Sequence, residues 1–99
     1  MFMKFEWSMQ KSKINVTKHG FTFEEASKLF IGRADFVEIF DESHSVDEDR
    51  FIAIGPIARG IIVVVYIEKA LDLIRIISAR KASRKETELF FNYKKGKFI

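Results

Sequence analysis

Residues 61–67 spell IIVVVYI, a run whose apolar side chains occupy odd and even positions alike. Because successive side chains of a strand point to opposite faces, such a run needs cover on both faces. The segment therefore predicts a central strand in a sheet that is packed on both sides. It is too short to span a bilayer, and the first residues lack the long apolar run of a signal peptide. We expect a soluble, cytoplasmic protein with no membrane partner.

The segments around this run indicate a small α+β domain. Residues 36–41, 50–57 and 73–79 have the composition and length of three further strands. Short connections favour antiparallel neighbours, so the four strands predict an antiparallel meander. A short strand at 4–7 and two helices precede the meander, and one helix follows it. The chain of 99 residues is long enough for one core and too short for two, which predicts a single domain over residues 1–99.

Capping residues mark the helix boundaries. Ser8 is a candidate N-cap for the first helix, and Gly20 offers a left-handed stop at its end. The S/T-x-x-E spacing of a capping box occurs at Thr22 and again at Ser83. These boxes predict the starts of the second helix, which Gly32 closes, and of the last helix.

Charge is distributed unevenly along the chain. Residues 35–49 contain seven acids and no Lys or Arg, whereas residues 73–99 contain eight bases and two acids. A basic region on a small domain raises the local concentration of anions and makes nucleic acid a natural partner. The alternative is a solvated basic helix face with no ligand.

No motif predicts a metal or another cofactor. The chain has no cysteine, and its two histidines, His19 and His44, lack the i, i+4 partner of a helical metal site. Counted from Asp41, the acidic loop has Val46 where an EF-hand needs Gly and Ile52 where it needs Glu. We therefore interpret the loop as solvated.

Two pairs of cations admit both a structural and a functional interpretation. Arg75 interrupts an apolar strand, so it either pairs with a carboxylate on a neighbouring strand, such as Glu68, or faces a cleft and binds an anion. Arg80, at the end of that strand, is expected to be freer to reach a ligand. Lys18 and His19, in the last turn of the first helix, either stabilise that helix by interacting favourably with its dipole or contact the phosphates and bases of a nucleic acid.

Five motifs occur along the chain: FEW at 5–7, K-x-x-x-N-x-x-K-H-G at 11–20, FEEA at 23–26, RFIAIG at 50–55, and RIISARKAS at 75–83 with Glu86 after it. Taken together, these motifs resemble the BrnT family of toxins from bacterial type II toxin–antitoxin modules. The resemblance spans about residues 5–90 and departs from the family pattern at Ser8, where members commonly carry Asp, and at Phe90, where they often carry Tyr.

This resemblance implies a RelE-like fold and a ribonuclease toxin of the RelE/ParE-like superfamily. It also implies a cognate antitoxin, typically a ribbon-helix-helix protein called BrnA, that holds the toxin in an inactive hetero-oligomer. In a metal-free ribonuclease the substrate 2′-hydroxyl attacks the adjacent phosphorus, and the protein must move protons and stabilise charge on the phosphate oxygens.

We expect arginines to stabilise the phosphate and one group among Lys18, His19, His44 and Glu86 to move the proton. The expected catalytic residues are Arg75, Arg80, Arg50 and His19; the expected RNA-binding residues are Lys18, Lys81, Arg84 and Lys85; the expected antitoxin-binding residues are Phe90 and Phe91. Two other functions stay open: a noncatalytic nucleic-acid-binding or regulatory domain, and a protein-interaction module that uses Phe90, Phe91 and Phe98.

Overall fold

The computed structural model describes residues 3–32 and 35–96. Five strands form one sheet with the spatial order β1-β5-β4-β3-β2. The elements are, in chain order, β1 (Lys4–Glu6), α1 (Met9–His19), α2 (Phe23–Ile31), β2 (Val37–Phe40), a 3-10 turn (Glu42–His44), β3 (Arg50–Ile57), β4 (Gly60–Ala70), β5 (Leu73–Lys81) and α3 (Arg84–Lys94).

The sheet confirms the predicted α+β class and the predicted meander. Strands β2 to β5 pair antiparallel in sequence order, and β4 occupies the centre of the sheet. The short N-terminal strand, for which the sequence indicated no partner, pairs parallel with β5. The sheet is therefore mixed and five-stranded, and β5 has β1 beside it only along its first three residues.

The two faces of the sheet are covered by different helices. On one face, α2 buries Phe23 and Leu29 in the main core, which includes Tyr66 of the central strand. On the other face, Phe90 of α3 belongs to a smaller cluster with Ile54 and Val63. Burial on both sides explains the continuous apolar run of β4.

One part of the α3 side of the sheet is only partly covered. We call it the arginine face and define it by five half-buried residues whose register places them on that side: Arg50, Val65, Arg75, Ser78 and Arg80.

The helices are capped by the residues that the sequence predicted. Ser8 and Thr22 accept hydrogen bonds from the backbone in the first turns of α1 and α2, and Gly20 ends α1 with a φ of 79°. Ser83 forms a full capping box with Glu86 at the start of α3. None of the helices within residues 3–32 and 35–96 is long and apolar enough to cross a membrane.

Candidate nucleic-acid interface

Strand β5 contains one extra residue relative to its partner β4. Ile76 lies opposite Tyr66, and Ser78 lies opposite Val65, so Ile77 has no counterpart on β4. The pairing of β4 with β3 is regular along its length, which assigns the extra residue to β5. Such a bulge changes which face the following side chains reach.

The bulge brings two predicted arginines to one face. Arg75 lies opposite Ile67, and Arg80 lies opposite Val63. Val63 packs in the cluster under α3, and Ile67, four residues along the regularly paired strand β4, faces the same side. A regular strand would send side chains five residues apart to opposite faces. The extra residue offsets this odd spacing, and Ser78 lies on the same face between the two arginines.

Arg75 is held by a carboxylate from β1. Its Nη1 donates to Oε2 of Glu6 at 2.8 Å, and the two residues are register partners across the β1–β5 pair. The predicted partner, Glu68, is wrong because the β4–β5 register places Glu68 opposite Ile74, on the other face. Among the hydrogen bonds of residues 3–32 and 35–96, Arg75 uses one of its five guanidinium N–H groups, so the others can bind an anion.

Arg80 is held by Glu86 of α3, contrary to the expectation that it would be free. Nη1 and Nη2 donate to the two carboxylate oxygens of Glu86 at 2.8 and 2.7 Å, and Nη1 also donates to the carbonyl oxygen of Lys81 at 3.3 Å. Among the hydrogen bonds of the described residues, none uses Nε of Arg80. The edge formed by Nε and Nη2 therefore presents a second fork that matches a phosphate.

The same contact fixes the charge state of Glu86. The hydrogen bond from Arg80, with further bonds from the Ser83 cap, lowers the pKa of Glu86 from 4.5 to about 2. Glu86 is therefore ionised near neutral pH. Of the groups considered for proton transfer, this one is unsuited to donate a proton.

Arg50 extends the row of arginines across the sheet. It lies opposite Ile67, which in turn lies opposite Arg75, so the two arginines are separated by one strand, about 10 Å in strand spacing. Arg50 also lines an open pocket in the acidic loop together with His44. The His44 ring contacts Asp41 at 3.0 Å in that loop, which fixes His44 among carboxylates.

Helix α1 is anchored to the open edge of β5. β1 pairs with β5 only as far as Arg75. Farther along this edge, the side chain of Asn15 makes the hydrogen bonds that a neighbouring strand would make: it donates to the carbonyl oxygen of Ala79 at 2.8 Å and accepts from the backbone N–H of Ala79 at 3.1 Å. Asn15 also donates to the carbonyl oxygen of Phe21 at 2.9 Å, and it is buried. These bonds set the position of α1 against β5.

A groove of about 170 Å³ lies between this helix and the bulge. We call it the α1–β5 groove. It brings the predicted Lys18 and His19 next to Ile77 and Ser78 of β5. Because Ser78 also belongs to the arginine face, the groove and the arginine face are contiguous. The groove is lined by Lys11, Ile14, Asn15, Lys18, His19, Ile77 and Ser78.

The remaining predicted RNA-binding residues lie at the end of β5 and in the first turn of α3. Lys81 lies opposite Ile62 and so points to the other face of the sheet from Arg80, although it is exposed. Arg84 is 92% exposed and pairs with Glu88 at 3.3 Å. Lys85 is exposed in the first turn of α3.

The aromatic residues expected to bind an antitoxin differ in accessibility. Phe90 is 3% exposed and packs in the cluster under α3, so its prediction as a partner contact is wrong for this fold. Phe91 is 48% exposed and remains accessible. Phe98 lies outside the described residues.

Four residues of this surface were not predicted as site residues: Glu6, Ser78, Lys11 and Ile14. Glu6 became relevant only through the parallel docking of β1, and Ser78 only through the bulge. The spacing of Lys11, Ile14 and Lys18 on one helical face was the one signal that could have indicated a shared surface. Within the described ranges, no group of three His, Asp or Glu side chains is arranged so that it could bind a metal ion.

Comparison with known proteins agrees with this architecture. A family model described as the ribonuclease toxin BrnT of type II toxin–antitoxin systems matches residues 7–86. A crystal structure of the Brucella abortus ribonuclease toxin BrnT aligns with a TM-score of 0.61 and 28% sequence identity, covering 83% of this chain and 99% of that one. None of the curated proteins matches. The family match covers most of the chain, and the chain therefore belongs to the BrnT family of ribonuclease toxins of type II toxin–antitoxin systems.

Proposed function

We propose that the chain is a metal-independent endoribonuclease whose scissile phosphate binds on the arginine face. The 2′-oxygen of the RNA forms a bond to the adjacent phosphorus while the bond to the 5′-oxygen breaks. One proton leaves the 2′-hydroxyl and one reaches the 5′-oxygen, which leaves a 2′,3′-cyclic phosphate. The observation that carries the proposal is the shared face of Arg75 and Arg80.

The arginines supply the positive charge that the transition state needs. Arg80 offers its Nε/Nη2 edge, while Glu86 holds the opposite edge. Arg75 offers the donors that Glu6 leaves unused. Guanidinium groups held in place before the reaction stabilise charge on the phosphate oxygens without reorganising. Arg50 acts at the far end of the row, where it contacts a more distant phosphate.

His19 accepts the proton of the 2′-hydroxyl and returns a proton to the 5′-oxygen as that group leaves. His19 lines the α1–β5 groove, which meets the arginine face at Ser78. His44 is less suitable because it lies in the acidic loop beside Asp41, where carboxylates repel an approaching RNA strand. An imidazole can both accept and donate a proton, which suits acid–base catalysis.

Further cations bind the RNA strand on either side. Lys18 extends the groove, and Arg84 and Lys85 extend the arginine face at the start of α3. Lys81 contacts the RNA only where the RNA passes around the edge of β5, because the side chain of Lys81 points away from Arg80.

A BrnA-like ribbon-helix-helix antitoxin neutralises the toxin by covering this surface. Exposed Phe91 supplies an apolar anchor on α3, and Arg84 supplies a charge at the start of the same helix. Buried anchors with complementary charges around them are typical of protein interfaces. Antitoxin and RNA then compete for the start of α3.

The test is incubation of the purified protein with single-stranded RNA in EDTA. Cleavage that survives the chelator and is lost in Arg80→Ala supports the proposal. RNA that is retarded on a gel but intact supports the noncatalytic nucleic-acid-binding function instead. RNA that neither binds nor breaks supports a protein-interaction module.

A further inference from the structure

We infer that the α1–β5 groove is a subsite for a nucleotide that neighbours the scissile phosphate. The inference rests on the proposed function for the identity of the ligand. It adds Lys11, Ile14 and Ile77, none of which has a role in the cleavage step, and it commits to single-stranded RNA as the occupant.

The groove has the chemistry of a nucleotide site. Its charged lining consists of Lys11 and Lys18 with His19 beside them, and no carboxylate is among the described residues that line it. Ile14, which is 55% exposed, and Ile77 add apolar surface. A nucleotide combines an anionic phosphate with the apolar face of a base, and single-stranded RNA presents both.

The position of the groove favours RNA over an acidic protein segment. Ser78 lines the groove and also lies between Arg75 and Arg80 on the arginine face. A strand whose phosphate sits between these arginines therefore passes over Ser78 and enters the groove without crossing another element. The groove continues the path of the substrate.

The walls of the groove are fixed before a ligand arrives. Asn15 ties the middle of α1 to both backbone groups of Ala79 and to the carbonyl of Phe21. A preformed site binds its ligand without the entropic cost of ordering its walls.

The same helix provides matched controls. Lys11 and Ile14 lie three residues apart on the flank of α1 that lines the groove. Lys13 and Val16 belong to the same helix and are exposed, but neither lines the groove. Lys13→Ala and Val16→Ala thus remove one charge and one apolar side chain from the same helix at positions outside the groove.

The experiment measures binding of a 2′-O-methyl RNA hexanucleotide by fluorescence anisotropy over a range of salt concentrations. The methyl group blocks the nucleophile, so binding is recorded without cleavage. We expect Lys11→Ala to raise Kd about three- to fivefold, the range of an exposed charge contact. Its plot of log Kd against log salt should lose about 0.7 in slope, the value for one phosphate contact on a single strand.

Ile14→Ala should raise Kd by a similar factor at every salt concentration, without a change in slope. The two control variants should leave both Kd and slope unchanged, and thermal melting should confirm that all four variants fold.

Two results overturn the inference. One is that the parent and the groove variants bind the hexanucleotide with the same Kd, or that none of them binds it. The other is that Lys11→Ala weakens the binding of polyglutamate by the same factor as the binding of the hexanucleotide. The groove would then be a general anion-binding surface. If the groove variants weaken binding as expected but the parent leaves unmodified RNA intact in EDTA, the proposed cleavage fails while the subsite stands.

Discussion

Arg75 and Arg80 project from the same face of β5 although they are five residues apart in sequence. The extra residue at Ile77 reverses the alternation between them, because Ser78 rather than Ile77 lies opposite Val65. Each arginine is then held by a carboxylate from a different element, Glu6 of β1 or Glu86 of α3. The arginine face thus depends on contacts that join the N-terminal strand, the bulge and the last helix.

Arg80→Ala should abolish most of the cleavage while leaving the fold intact. We expect a loss of about 100-fold or more in cleavage rate, as for removal of one donor to a transition-state oxygen. Because the side chain is partly exposed, its ion pair with Glu86 should contribute at most about 1 kcal/mol to stability. Single-turnover cleavage and thermal melting measure the two effects.

Arg59→Ala is the control for removing an ion-paired arginine. Nε and Nη2 of Arg59 donate to Glu25 at 2.5 and 2.9 Å, and the guanidinium stacks on Phe21 at 4.3 Å. This arginine holds α2 against the β3–β4 turn, so its loss should lower the melting temperature and spare cleavage. Equal loss of cleavage in both variants would contradict the assignment of Arg80.

Glu86→Gln should change how stability depends on pH. The pKa of Glu86 in the folded protein is about 2, below its usual 4.5. The stabilisation by ionised Glu86 is therefore complete above about pH 4.5 and is lost as the pH falls towards 2. The parent should be more stable than the variant near pH 6, and the difference should shrink through this window.

Urea denaturation between pH 2 and 7 measures the difference. Glu88→Gln is the matched control, because Glu88 is on the same helix and pairs with Arg84 on the surface. A difference between parent and Glu86→Gln that stays constant with pH would contradict the lowered pKa of Glu86 in the folded protein.

Asn15→Ala should destabilise the fold strongly. The change removes three hydrogen bonds to buried backbone groups of Ala79 and Phe21. Buried donors and acceptors without partners are costly, so we expect a loss of about 2–4 kcal/mol in the free energy of unfolding. Ser12→Ala, a partly exposed position on the same helix, is the comparison. Equal denaturation midpoints for the two variants would mean that Asn15 does not anchor α1.

Phe90→Ala and Phe91→Ala should separate stability from partner binding. Phe90 is buried under α3, and its loss should cost about 3–5 kcal/mol in stability. Phe91 is exposed, so its variant should melt close to the parent and bind the cognate antitoxin more weakly. Titration of both folded variants with the antitoxin is the measurement, and an affinity unchanged by Phe91→Ala would remove α3 from the proposed interface.

Local signals in the sequence predicted most of the elements. The capping boxes at Thr22 and Ser83 and the glycine stop at Gly20 are properties of a few neighbouring residues, and the helix ends follow them. The apolar run of β4 predicted a central strand because a strand that is buried on both faces needs apolar residues at successive positions, whichever helices pack against it.

The site was harder to predict because it depends on pairing between distant segments. The bulge at Ile77 occurs in a run of ordinary strand-forming residues, so nothing local marks it. The partners of Arg75 and Arg80 follow from the docking of β1 and α3 against β5, which no periodicity specifies. Phe90 and Phe91 are adjacent and chemically identical, and only the rotation of α3 decides which one is buried.

The most direct test of the account is the chemistry of the cleaved ends. RNA is cut in EDTA, and the products are analysed by mass spectrometry beside an RNA with a single 2′-deoxy nucleotide immediately 5′ to the scissile phosphate. We predict 2′,3′-cyclic phosphate and 5′-hydroxyl ends from the first RNA and no cleavage at the modified position of the second. A 3′-hydroxyl with a 5′-phosphate, or cleavage beside the deoxy nucleotide, would contradict attack by the 2′-hydroxyl on the arginine face.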